Sequence, residues 1–373
     1  MAFHAKLASP MHLPSIYRFI TLVAIILVTS SAVIAQAPKY SNEFLAIGVG
    51  ARSLAMSKAT VASVDDVTSG YWNPSGLTGL KKDFSASLMH SEYFAGIAKF
   101  DYVGFAIKVD EDATLGLSYI RFAVDDIPNT IELVDNNGNV NYDRITTFSA
   151  VDNAFLISYA RKSKVEGLSL GGNAKIIYRK IGDFADAWGF GLDASAKYQK
   201  DGWRFGAMAR DVTSTFNAWS FSLSDRTIEV FEQTGNEIPE NGLEITLPRL
   251  ILGVGKEFEI KKFAVLPEAN FDLTFDGQRN TLIQGDPLSI DPYFGLEMSY
   301  ARIVYLRGGM GNFQKIQAEV GSHKVTTFQP NIGVGLSFKG VTIDYALTDI
   351  GDQSVALYSN VFSLKLDLNK PPR

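Results

Sequence analysis

Apolar and polar residues alternate in segments of about ten residues through most of this chain, and this pattern limits the possible folds more than any other feature. Residues 190–198 are typical, because every second side chain is apolar. These are Phe190, Leu192, Ala194, Ala196 and Tyr198. The other face includes Asp193 and Lys197. Alternation with a period of two predicts β-strands, and about ten residues is the length that a tilted strand needs to cross a bilayer.

Fourteen such segments are predicted, separated by links of two kinds. The segments are residues 82–90, 99–109, 113–122, 150–160, 167–178, 188–200, 202–212, 248–258, 264–274, 292–301, 303–309, 328–338, 341–349 and 360–368. Short links such as 201–202 and 339–340 alternate with long ones at 123–149, 213–247, 275–291 and 310–327. Short turns on one side and long loops on the other are typical of outer-membrane barrels. The sequence therefore predicts an all-β transmembrane antiparallel β-barrel of about 14 strands over residues 82–373. A secreted β-sandwich is the alternative, since it also alternates.

The first residues have the three parts of an export signal. Lys6 and Arg18 carry positive charge, residues 19–28 are uncharged and largely apolar, and Ala35 ends a run of small residues. This predicts a signal peptide over residues 1–35, cleaved after Ala35. A transmembrane anchor is the alternative, but the apolar stretch is too short to cross a bilayer as a helix. Together with the barrel, the leader predicts a location in a bacterial outer membrane.

The residue types that most enzymes use are scarce. The chain has no cysteine, which excludes disulfides and thiolate metal sites. Residues 167–171 match the nucleophile motif G-x-S-x-G, but they lie within a predicted strand, whereas the motif needs a strand-to-helix turn. Beyond the leader only His90 and His323 could serve as a histidine base. We therefore predict no enzyme activity, no cofactor and no metal. A net charge of −5 without a basic run argues against a nucleic-acid partner.

Two further patterns have simple structural explanations. Residues 135–139 resemble the start of a calcium loop, but Thr146 stands at the twelfth position, where such a loop needs glutamate. Asn137-Gly138 instead predicts a tight turn in a long loop. Charges also occur on the polar faces of the strands, and we predict that they line a hydrated lumen and pair with one another. These residues are Asp193, Lys197, Arg204, Arg210, Asp344 and Lys365.

Residues 36–81 do not alternate, and we predict a short plug segment inside the barrel. Asp65 or Asp66 can cap a short helix, and Pro74 disfavours helical backbone at Asn73. The stretch contains F-L-x-I-G-V-G-A-R at residues 44–52, an Asp-Asp pair and Y-W-N-P-x-G-L at residues 71–77. The candidate binding or structural residues of the plug are Phe44, Gly48, Gly50, Arg52, Asp65, Asp66, Trp72, Asn73, Pro74 and Gly76.

With these motifs, and with Ile343-Asp344-Tyr345-Ala346 near the end, the chain resembles the PorV/PorQ family of Bacteroidota-type outer-membrane proteins, which are similar to FadL-type barrels. The chain departs from the family at residues 56–59, where Ser57 and Lys58 replace two glycines, and at Ser75, where the family has alanine. The missing glycines leave the backbone conformation near Ser57 open.

The resemblance implies a fourteen-stranded barrel that assists a type IX secretion system. Its partners would be outer-membrane lipid, secretion-system components and the C-terminal sorting domains of cargo proteins. FadL-like relatives instead move hydrophobic small molecules through the lumen, and a purely structural barrel is a third possibility. The polar inner faces favour the secretion role over a channel for hydrophobic molecules. The sequence leaves open the cargo or solute, the oligomeric state and the subtype within the family.

Overall fold

The computed structural model describes residues 41–135, 137–317, 324–350 and 358–369. The predicted signal peptide at residues 1–35 and the first residues of the predicted plug, 36–40, lie outside these ranges.

Seventeen hydrogen-bonded segments form one sheet, and they make fourteen strands because two strands are interrupted. The strands are β1 Phe84–Tyr93, β2 Ala98–Lys108, β3 Ala113–Asn129, β4 Thr146–Lys162, β5 Leu168–Ile181, β6 Ala185–Lys200, β7 Trp203–Arg210 with Thr215–Phe221, β8 Gly242–Thr246 with Arg249–Lys256 and Phe258–Ile260, β9 Phe263–Thr274, β10 Ser289–Tyr300, β11 Val304–Gln317, β12 Lys324–Phe338, β13 Val341–Thr348 and β14 Ser359–Leu368.

The sheet closes on itself. Each strand pairs antiparallel with the next, and β1 pairs with β14, where Phe84 lies opposite Leu368 and Leu88 opposite Leu364. Closure gives every strand two neighbours and leaves no edge, which is the condition for a sheet to cross a bilayer. Each of the fourteen predicted segments coincides with one strand of this barrel, so the predicted fold is confirmed.

The two faces of the barrel wall differ in polarity. In β1, Leu88 is 52% exposed, whereas its neighbours Ser87 and Met89 are almost fully buried. The same alternation recurs around the wall, so that the outer face is apolar and the inner face is largely polar and buried. This is the arrangement of a membrane-spanning barrel. No helix in the described part of the chain is long and apolar enough to cross a membrane.

The barrel encloses residues 41–83, which we call the luminal segment. It contains two 3₁₀ turns, Glu43–Ala46 and Pro74–Gly79, and two short helices, α1 Ala51–Ala55 and α2 Ser69–Trp72. Its contacts go all round the wall, as four hydrogen bonds illustrate. They join Gly50 to Met89 in β1, Gly70 to Asn173 in β5, Ala62 to Glu268 in β9 and Ala51 to Ser363 in β14. The main hydrophobic cluster lies between this segment and the wall.

The predicted link 213–247 is only partly a loop. It contains the second part of β7, helix α3 Asp225–Thr234 and the first part of β8. Asp211 and Ser214 have positive φ, and beyond them the outward positions change from odd to even numbers. This offset ends the regular alternation, so the pattern missed the continuing strand. The pairing register of β3 also shifts between Val124 and Ile127, where Asp126 has positive φ. The strand continues beyond this shift into the predicted loop 123–149.

Candidate functional site

Several residues of the first motif fold the luminal segment back on itself. Gly48 and Gly50 have φ of +104° and +83°, a backbone conformation that favours glycine. A Cβ atom on Gly48 would lie 2.9 Å from side-chain atoms of Leu54 and Trp72. The Trp72 indole donates a 2.8 Å hydrogen bond to the Val49 carbonyl. Phe44 is buried, and the guanidinium of Arg179 lies 6.0 Å from its ring.

The second motif forms a tight turn against the wall. Asn73 has extended backbone, as the following proline requires, and its amide donates a 2.8 Å hydrogen bond to the Val61 carbonyl. The Ser75 amide donates to the Ser195 hydroxyl of β6 at 2.9 Å. The peptide bond between Pro74 and Ser75 lies against Gly171 of β5. A Cβ atom on Gly76 would lie 2.4 Å from the Val64 carbonyl oxygen. These residues therefore set the path of the segment.

Arg52 and Asp66 connect the luminal segment to the wall by ion pairs. The Arg52 guanidinium lies 2.8 Å from Glu297 of β10, and Asp66 lies 2.9 Å from the Lys365 ammonium of β14. Asp66 also accepts hydrogen bonds from the Thr68 amide and hydroxyl. Burial acts to raise the pKa of the Asp66 carboxyl, but Lys365 and Thr68 together hold that pKa well below its ordinary value. At neutral pH this pair is therefore charged. Asp65 precedes Asp66 in the chain, and both residues line a cavity on the side of the short turns.

The structure brings the ten candidate residues into one folded segment rather than around one reactive centre. Their side chains stabilise turns, pack against neighbouring residues and contact the wall. Whether they also bind a partner or ligand stays a prediction. The short helix after the Asp-Asp pair is α2, which begins at Ser69, and Asp66 supports the turn before it through Thr68.

The sequence predicts that the six inward charges pair with one another, but in the described structure each contacts another group of the wall or of the luminal segment instead. Lys197 donates to the Val64 carbonyl, and Arg210 lies 4.4 Å above the Tyr71 ring, so both contact the luminal segment. Asp344 pairs with Arg307, and Arg204 with Glu257. Asp193 pairs with Lys175, which also contacts Asp211. Lys175, Glu297 and Arg307 occupy inward positions, which alternation could have shown. The ion pairs of Lys175 and Arg307 are with other wall residues, whereas Glu297 also pairs with Arg52 of the luminal segment.

Two neighbouring residues of the luminal segment that are not glycine have an unusual backbone conformation. Ser57 and Lys58 have φ of 51° and 70°. Other residues hold them there, since the Asn331 amide donates to the Ser57 hydroxyl at 2.6 Å and the Lys58 ammonium donates to the Ala46 carbonyl at 2.9 Å. The glycine-like conformation is thus kept without glycine.

The other predicted motifs are local structure. Ser169 of the G-x-S-x-G match lies in β5 and accepts a 2.8 Å hydrogen bond from the Thr78 hydroxyl. Asp135 accepts hydrogen bonds from the backbone amides of Asn137 and Asn139, and Gly138 has positive φ in a turn. The tight turn at Asn137-Gly138 is therefore confirmed.

Among the described residues, three cavities lie beside the luminal segment. The first, of about 320 Å³, faces the long loops and has Ile47, Leu54, Tyr93 and Phe94 on its apolar side. Polar residues such as Thr348 complete its lining. The second, of about 280 Å³, is on the same side between Trp72 and strands β7 to β10 and is strongly charged. The third, of about 260 Å³, faces the short turns and contains the Arg52 and Asp66 ion pairs. The luminal segment separates the first two from the third.

Solved structures similar in fold to this chain include a hydrocarbon channel and two toluene transporters. No protein-family model and no curated protein sequence matches the chain. The monoaromatic hydrocarbon channel CymD is 14% identical, with a TM-score of 0.55 over 87% of this chain and 98% of that chain. The Ralstonia pickettii toluene transporter TbuX is 14% identical, with a TM-score of 0.52 over 86% and 99%. The Pseudomonas putida toluene transporter TodX is 11% identical, with a TM-score of 0.51 over 87% and 99%. The chain therefore has the fold of FadL-type outer-membrane barrels.

Proposed function

We propose that the protein is an outer-membrane channel through which hydrophobic small molecules pass. This was the second interpretation from the sequence, and it now fits better than the secretion role. The observation that carries it is the first cavity, which has an apolar side inside a barrel of the fold that the CymD and TbuX channels share. A cavity of about 320 Å³ is within the size range of sites for small organic molecules.

The polar inner wall is weaker evidence against such a channel than the sequence suggested. Inward charges are neutralised either by the luminal segment, as Asp66 neutralises Lys365 and Arg52 neutralises Glu297, or by other wall residues, as Asp344 neutralises Arg307. The segment itself supplies Ile47 and Leu54 to the first cavity. In the first cavity an apolar solute would therefore contact the segment and the loop end of β1 on the apolar side, and polar residues with Lys58 and Asp349 on the other side. Passage to the periplasm would need the segment to move.

Uptake of toluene by intact cells tests this proposal. The protein would be produced in a strain that lacks its own hydrocarbon channels, and entry of radiolabelled toluene would be measured. Replacing Thr348 with phenylalanine fills the first cavity, because Thr348 is buried and lines it. We expect Thr348→Phe to reduce uptake at least several-fold. Heat-dependent electrophoretic mobility shows whether each variant still forms the folded barrel.

The matched control is Leu347→Phe, which adds the same side chain at the next residue of β13 on the outward face. We expect uptake as in the unaltered protein. Toluene entry that does not exceed that of cells without the barrel would refute the channel. Equal uptake by both variants would refute the assignment of the first cavity to the route.

Assistance to a type IX secretion system is the second candidate. The observation that favours it is the luminal segment, which contacts the wall on all sides and fills much of the lumen. Helix α3 adds an ordered structure among the long loops, where a protein could bind. Deleting the gene and surveying surface proteins distinguishes the two functions. Loss of proteins with C-terminal sorting domains, with normal toluene uptake, would favour secretion.

A further inference from the structure

Charged residues replace apolar ones on one part of the outer wall. On strands β1, β2 and β3 the outward side chains include a cluster that we call the charged patch. It consists of His90, Glu92, Lys99, Asp101, Arg121 and Asp125. These side chains are between 32% and 58% exposed, and they alternate with buried neighbours such as Met89 and Phe100. They therefore point away from the lumen.

The patch lies at a height where other strands present apolar residues to lipid. Asp101 is seven residues from the short-turn end of β2 at Lys108, and Arg121 is eight residues from the start of β3 at Ala113. At least as far from their short turns, β6, β9 and β12 carry Phe190, Phe271 and Phe328 on the outside. Below the patch the wall is apolar again, with Leu88, Phe105 and Leu117. Among the strands compared, the apolar belt is therefore shorter only on the side of the barrel that β1, β2 and β3 form.

Such a patch is costly against acyl chains. A charged side chain on the lipid face costs about 2–4 kcal/mol near the bilayer midplane and less towards the interface. Ion pairs within the patch lower this cost only in part, because the paired side chains remain 33% to 53% exposed. His90 lies 2.7 Å from Asp101, and Lys99 lies 3.1 Å from Asp125. A polar surface that covers the patch would satisfy the remaining hydrogen-bonding groups.

The arrangement of the charges fits a second copy of the same wall. In a dimer whose two-fold axis is parallel to the membrane normal, β2 can lie on the axis, and β1 of each copy then faces β3 of the other. Glu92 is eight residues from the start of β1, as Arg121 is from the start of β3, so the two lie at a similar height. Each copy would set its Glu92 against the Arg121 of the other. Anionic lipid, by contrast, would meet three carboxylates for two permanent cations.

We propose that the outer face of β1 to β3 is a homodimer interface within the membrane, in which the two charged patches cover each other. The apolar residues below the patch would pack across the same axis. This interface goes beyond the channel function and would hold whether or not the barrel conducts toluene.

Disulfide crosslinking in native membranes tests the interface directly, because the chain has no cysteine of its own. Val103 is an outward residue of β2, between the patch and the apolar residues, and would lie close to the axis. We expect Val103→Cys to give a crosslinked dimer on oxidation. The matched control is Val334→Cys on the outer face of β12, which should stay monomeric. Absence of a Val103→Cys dimer, or its crosslinking to another protein instead, would overturn the proposal.

A charge swap tests the predicted contact. Arg121→Glu would face Glu92 of the other copy with a like charge, and we expect it to abolish the dimer measured by light scattering in mild detergent. Adding Glu92→Arg restores opposite charges across the axis and should restore the dimer. Heat-dependent electrophoretic mobility shows that each variant is folded. A monomeric unaltered protein, or a double variant no more dimeric than Arg121→Glu, would overturn the interface.

Discussion

At the scale of single residues, glycines in the wall decide how close the luminal segment can come. A Cβ atom on Gly309 of β11 would lie 2.4 Å from the carbonyl carbon of Met56, and one on Gly206 would lie 2.3 Å from the Val61 carbonyl oxygen. Both contacts are with backbone atoms, which cannot turn away as a flexible side chain can. The absence of side chains at these points therefore creates the space for the segment.

We expect Gly309→Ala to destabilise the barrel by about 1–3 kcal/mol, the usual range for overpacking a well-packed site. The cause would be displacement of the backbone at Met56 and Ser57. Unfolding in denaturant, followed by tryptophan fluorescence in detergent micelles, measures the change. Gly308→Ala is the control, since the nearest atom to a Cβ there is 3.9 Å away. Equal destabilisation by both variants would contradict the close approach.

Residues 57 and 58 show where the sequence was not sufficient. The PorV/PorQ proteins that the sequence resembles have glycines there, whereas this chain has Ser57 and Lys58 with positive φ. The sequence could only leave the conformation open, because the groups that hold it, such as Asn331, are distant in the chain. Gly48 and Gly50 were different. Glycine adopts positive φ without steric strain, so their conformation needs no support from distant residues.

At the scale of the elements, the luminal segment depends on ion pairs with the wall, and these pairs respond to pH. The folded protein holds the Asp66 carboxyl at a lowered pKa, so folding favours its charged form. The pair is therefore fully stabilising above the ordinary aspartate pKa of about 4, and its contribution is lost as the pH falls below that value towards the lowered pKa.

We expect Asp66→Asn to destabilise the folded protein at neutral pH by about 1–3 kcal/mol, since the variant leaves Lys365 without its carboxylate partner. The difference between the variant and the unaltered protein should shrink as the pH is lowered below about 4. Denaturant unfolding between pH 7 and pH 3 measures both effects. Asp65→Asn is the control. A difference that does not change with pH would contradict the assignment to this ion pair.

The strands were more predictable than the connections between them. Alternation identified all fourteen strands because each strand has one face towards lipid and the other towards the lumen. The difference between these two environments produces a period of two. It failed beyond Arg210, where Asp211 and Ser214 offset the period, and it could not detect helix α3 within a link assigned as a loop. The path of the luminal segment was equally hidden, because it depends on contacts with strands that are distant in the sequence.

At the scale of the whole molecule, the barrel is a wall between lipid and the luminal segment, and one early expectation changes for this reason. The sequence predicts a hydrated lumen, and with such a lumen an arginine at lipid-facing Leu192 would be costly and one at inward Ser195 much less so. The facing of the two residues is as expected. Ser195, however, is buried and accepts a hydrogen bond from the Ser75 amide, so an arginine there would displace the segment.

A fair comparison therefore uses an inward residue that borders a cavity. We expect Leu192→Arg to destabilise the protein in lipid vesicles by about 2–4 kcal/mol, because it places a charge among acyl chains near the middle of β6. Thr348→Arg should cost less than about 1 kcal/mol, because its side chain enters the first cavity, where Asp349 is within the lining. Both values come from urea unfolding in vesicles, and the ratio between them matters more than either value.

In detergent micelles, whose apolar layer is thinner and more readily hydrated, the penalty at Leu192 should fall while that at Thr348 stays the same. A penalty at Thr348 as large as that at Leu192 would mean that the lumen beside β13 is packed rather than open, and the proposed route for hydrophobic molecules would lose its entrance.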